Sequence, residues 1–109
     1  MQESADSTTQ LKYTRELHKL QAHLLYYQQL LRDFRKSVEF VRDTPNPAMD
    51  HESISDLDRK TSKELLEQES NHLLSEIDRL EKQRQIQSDR LKNAMDLVRL
   101  RILSSHGLS

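Results

Sequence analysis

Residues 10–41 read QLKYTRELHKLQAHLLYYQQLLRDFRKSVEFV, and this stretch decides the fold. Counted in sevens from Gln10, the residues Leu17, Leu24, Leu31 and Val38 form one row, labelled a. Tyr13, Leu20, Tyr27, Phe34 and Val41 form a second, labelled d. Nine of these ten positions are apolar or aromatic. A seven-residue repeat holds both rows on one stripe of a slightly underwound helix, the pattern of a coiled-coil seam.

Downstream the pattern stops at Asp43-Thr44-Pro45-Asn46-Pro47. Proline cannot donate to the helical ladder and pushes its predecessor out of the helical region, so two prolines one residue apart make a firm break. Upstream, residues 1–8 are polar and are expected to be a disordered lead-in. Ser7 and Gln10 have capping-box spacing, which predicts a first helix over 9–43. The stretch 44–52 is the expected loop.

A second helix is expected over 53–105, starting near Ser53 or at the capping box of Thr61 with Glu64. Its a row is Ser70, Ile77, Arg84, Leu91 and Val98. Its d row is Leu66, Leu73, Leu80, Gln87, Ala94 and Arg101. Arg84 and Gln87 interrupt the apolar pattern and lower stability, either by locally widening or hydrating the seam or as residues that fix register and partner. Residues 106–109 form a tail, and the whole reads as a single domain.

Composition agrees. The chain has 109 residues, 34% hydrophobic and 32% charged, with one glycine, two prolines and no cysteine. Sheets need turns built from Gly, Asn and Pro, and these are confined to one short stretch, so the fold class is all-α. Without cysteine there are no disulfides and no thiolate zinc sites. No apolar run approaches a membrane span, and the polar N-terminus is not a secretory signal. A soluble, intracellular protein is expected, in the cytoplasm first, with the nucleus left open.

Charge is uneven although the net is −1. Residues 9–42 carry +4 and residues 61–78 carry −4, so folding the second helix back along the first brings basic against acidic: Arg32, Arg35, Lys36 and Arg42 beside Glu64, Glu67, Glu69 and Glu76. Each surface pair is worth only about 0–1 kcal/mol, so charge biases the pairing while apolar burial drives it. The expectation is an antiparallel coiled-coil hairpin.

Apolar residues also fall outside the two rows. The stretch Met95, Leu97, Leu100, Ile102 and Leu103 is apolar on nearly all sides and is a candidate partner surface. A face wider than a two-stranded seam implies three or four helices, so the hairpin is expected to dimerise into a four-helix bundle.

No catalytic constellation emerges. A single glycine leaves no phosphate-cradling loop, and the histidines form no His-Glu-x-x-His motif. Asp50-His51-Glu52 reads as an ordinary polar loop. No catalytic, metal or cofactor site is assigned, and no nucleic-acid partner is expected, since phosphate contact needs a strong basic excess. Ser37, after Arg35-Lys36, and Thr44, before Pro45, are candidate phosphosites. The functional expectation is a non-enzymatic oligomerisation or scaffold module that binds protein, either its own copy or another helical protein. The alternatives are an adaptor groove for a foreign helix, in trafficking, tethering or cytoskeletal assembly, and weak peripheral membrane contact through 95–103.

Overall fold

The computed structural model describes the backbone of residues 2–107 and the side chains of residues 7–104. Two long helices, α1 (Gln2–Asp43) and α2 (Asp56–Gly107), are joined by a segment holding one 3₁₀ turn, Pro47–Asp50. There is no strand among the described residues. The fold is all-helical, and the two helices pack against each other.

The element boundaries differ from the sequence reading in three places. α1 begins at Gln2, so the lead-in expected over 1–8 is helical from its second residue. Extending a formed helix adds one hydrogen bond per residue fixed, and no glycine or proline intervenes between Gln2 and Asp43 to stop it. The connecting segment runs from Thr44 to Ser55 rather than ending at residue 52. α2 continues to Gly107, two residues beyond the expected end.

The cap of α2 is neither Ser53 nor Thr61 but Ser55. Its Oγ accepts from the Asp58 N–H at 3.1 Å, and its carbonyl accepts from the Arg59 N–H at 3.0 Å. That satisfies one orphan donor of the first turn. Asp56 and Asp58 add negative charge at the positive end of the helix. Ser53 is used elsewhere: its N–H donates to His51 Nδ1 at 3.1 Å, and the two side chains meet at 2.7 Å. Thr61 lies inside the helix. Asn46 holds the turn between the prolines and α2. It has extended backbone (φ −87°, ψ 115°), as a residue before proline requires, and its Oδ1 accepts from the Ala48 N–H at 3.0 Å.

The chain divides into two compact units: Met1–Gln28 with Lys82–Ser109, and Gln29–Glu81. In the second unit Val38 and Ile77 form the buried core, joined by the buried Ser70. Arg35 hydrogen-bonds Asp78, and Arg42 Nη1 donates to Asn71 Oδ1 at 3.1 Å, so polar contacts close one edge of this packing. In the first unit Leu91 is buried with Arg84, and Leu17 lines a cleft with Met95, Val98 and Ile102.

Ile77 is only 2% exposed, so Ile77→Ala should destabilise the chain by about 2–5 kcal/mol in a urea titration, while Phe40→Ala, at a side chain 66% exposed, should stay within about 0.5 kcal/mol. Ser55→Ala should cost about 1 kcal/mol and Thr61→Ala much less, read by the same melt.

Candidate assembly surface

Burial sorts the heptad rows. On α1 the a row is covered: Val38 is buried, and Gln10, Leu17, Leu24 and Leu31 are half-buried. On α2, Ser70, Ile77, Arg84 and Leu91 are buried and Val98 is half-buried. The d row behaves differently. Tyr13, Leu20, Tyr27, Phe34 and Val41 are all exposed, as are Leu66, Leu73 and Leu80. The seam expected from rows a and d is instead built from a and the row one place beyond d, labelled e.

The e row on α2 comprises Glu67, which is exposed, and Leu74, Glu81, Ser88, Met95 and Ile102, all half-buried. On α1 it is Thr14, Gln28, Arg35 and Arg42, also half-buried, with Gln21 exposed. This row was invisible to hydrophobic periodicity because on α1 every member is polar. The physical reason it wins is width. Tyr13, Tyr27 and Phe34 are bulky and rigid, whereas an arginine can pack a slim apolar stem beside a neighbouring row and keep its charged head at the edge. The one available signal was charge, since Arg35 and Arg42 belong to the basic block expected to meet acidic residues. Their hydrogen-bond partners are Asp78 and Asn71, and Glu67 contributes to the field at Arg42.

These contacts also fix sides. Arg35 and Arg42 lie on the e flank of α1. Asp78 and Asn71 each follow an a residue by one place, on the e flank of α2. Within the unit Gln29–Glu81 the bridged flanks therefore coincide, and the d flanks share the opposite side. In the unit Gln29–Glu81 that side carries Phe34 and Val41 from α1 with Leu66, Leu73 and Leu80 from α2, each 40–52% exposed. In the other unit the row d residues Tyr13, Leu20 and Tyr27 of α1 are exposed as well.

The candidate partner stretch splits. Met95 and Ile102 are half-buried in the e row, while Leu97, Leu100 and Leu103 are exposed. Met95, Val98 and Ile102 line a 280 Å³ cleft with Leu17, Thr14 and His18. Both candidate phosphosites are exposed. The Ser37 hydroxyl donates to the Asp33 carbonyl at 3.1 Å within the helix. Thr44 is the first residue past α1, its N–H still bonded to the Phe40 carbonyl at 2.9 Å, beside a 420 Å³ cleft shared with Arg42, Arg59 and Lys63.

Among the described residues no helix is long and apolar enough to cross a membrane, and no group of three or more histidine or carboxylate side chains is placed to hold a metal ion. Comparison with family models, with curated proteins and with solved structures finds no match.

One ion pair at the end of α1 perturbs its members. Arg42 Nε and Nη2 donate to the two Asp43 oxygens at 2.9 and 3.2 Å. These bonds hold the Asp43 carboxyl below the usual carboxylate range, against a smaller opposing effect of desolvation. They hold the Arg42 guanidinium above its ordinary value, opposed by desolvation and aided by the fields of Asp43, Glu39 and Glu67. A carboxyl lowered on folding contributes stability that is full above its unfolded pKa and is lost as pH falls through the lowered folded value. Asp43 is exposed and Arg42 only half-buried, so the effect is small and weakens with salt. An NMR titration should find the Asp43 midpoint below that of an ordinary aspartate, and Arg42→Ala should move it upward.

Proposed function

We propose that this chain is a non-enzymatic coiled-coil assembly module, an intracellular scaffold element in which an antiparallel helical hairpin pairs with a second hairpin to form a four-helix bundle. Antiparallel direction is supported by the step between polar contacts. Seven residues forward on α1, from Arg35 to Arg42, correspond to seven back on α2, from Asp78 to Asn71.

The observation that carries the reading is the exposed d row. A single hairpin uses rows a and e and leaves Tyr13, Leu20, Tyr27, Phe34 and Val41 of α1 and Leu66, Leu73 and Leu80 of α2 half out of water. The accessible surface makes the same point. The chain exposes 9331 Å², against roughly 6,300 Å² for a compact monomer of this mass. The surplus of about 3,000 Å² per chain exceeds the roughly 800 Å² that either partner of a standard interface gives up. At roughly 25 cal/mol per Å², covering even part of the apolar share outweighs any surface ion pair here.

Sedimentation equilibrium at tens of micromolar should give a particle of twice the 12.9 kDa chain mass. Phe34→Lys with Leu73→Lys, both on the exposed flank, should yield a monomer that is still helical by circular dichroism. A wild-type monomer at that concentration overturns self-assembly and leaves the flank for a helix of a different protein.

A further inference from the structure

The two compact units carry opposite charge. Gln29–Glu81 holds thirteen acidic and eight basic residues, a net −5. Met1–Gln28 with Lys82–Ser109 holds nine basic and five acidic, a net +4. The imbalance extends to the edge of the apolar flank. On α2, the residues next to the d row on its outer side are Glu69 and Glu76 in the acidic unit. In the basic unit Arg90 holds the same outer row, and Arg101 lies on the d row itself. Glu69, Arg90 and Arg101 are exposed; Glu76 is half-buried and holds Arg79 at 2.9 Å.

We propose that the occupant of this flank is a second copy of the chain laid in the opposite sense, so that the acidic unit of each copy docks on the basic unit of the other. The inference rests on the self-assembly reading above and adds the direction. A two-fold axis makes each contact occur twice with the roles exchanged, which a chain with one acidic and one basic unit satisfies with attraction at both ends. The same-sense pairing sets −5 against −5 and +4 against +4, and juxtaposed like charges select against it. Glu69 and Glu76 then approach the partner's Arg90 along the rim and the partner's Arg101 at the end of row d. Rim charges of this kind govern orientation and salt dependence more than the total affinity.

Charge reversal separates the two senses. In the opposite-sense dimer, Glu69→Lys with Glu76→Lys sets basic rim against basic rim, and Arg90→Glu with Arg101→Glu sets acidic against acidic. Each double variant should weaken its own dimer by about tenfold or more at low salt, with the loss shrinking at high salt, and an equimolar mixture of the two should recover wild-type affinity. In a same-sense dimer the reversal exchanges one repulsion for another and affinity stays as in the wild type.

A second measurement leaves those charges untouched. The chain has no cysteine, so single probes at Ala48→Cys and Ser104→Cys are unambiguous. A short bis-maleimide should join position 48 of one copy to position 104 of another in the mixed sample and should not join 48 to 48. Efficient 48–48 crosslinking in a particle of dimer mass overturns the direction while leaving self-assembly intact. A monomer by sedimentation overturns both.

Discussion

Everything in this molecule depends on covering one row of apolar side chains per helix. Val38, Ile77 and Leu91 are the buried apolar residues of the described chain, and they lie on rows a of α1 and α2. Two helices cannot enclose more than a narrow seam between them. The hydrophobic contribution is therefore small for a chain of this length, and ordering two long helices opposes it throughout. Helices that hold only each other sit near the margin of stability. The apolar side chains left at the surface mark where more is gained by a further contact.

Polar groups shape that seam as much as apolar ones. Ser70 and Arg84 are buried on row a of α2, and Arg35 and Arg42 are half-buried on row e of α1. Arginine suits this place because its long stem packs while its planar head reaches Asp78, Asn71 or Asp43 at the edge. Buried polar residues in a helical seam lower stability relative to leucine but restrict which registers are acceptable. The hydrogen-bonded pairs Arg35–Asp78 and Arg42–Asn71 serve that restriction. A one-heptad slip would separate both.

The connecting segment contributes by stopping one helix and starting the next cleanly. Pro45 and Pro47 deny the ladder its donors, Asn46 closes the 3₁₀ turn, and Ser55 caps α2. Three residue types with local backbone chemistry thus define where one helix ends and the next begins. None of this needs a hydrophobic core, which is why so short a segment is ordered while largely exposed.

By itself the sequence determined the helical class, the break at Pro45–Pro47, the two a rows and the surplus of apolar surface, because each depends on local backbone chemistry or on periodicity within a single helix. The cap is Ser55 rather than the expected Ser53 or Thr61 because several serines and threonines compete for that role, and only the backbone path chooses among them. Tertiary structure alone decided that row e, not row d, completes the seam. On α1, row e is entirely polar, so no count of apolar residues finds it. Its part emerges only when Arg35 and Arg42 have Asp78 and Asn71 across from them. A heptad read on one helix says which stripe avoids water; which edge of that stripe closes depends on the side chains of the other helix.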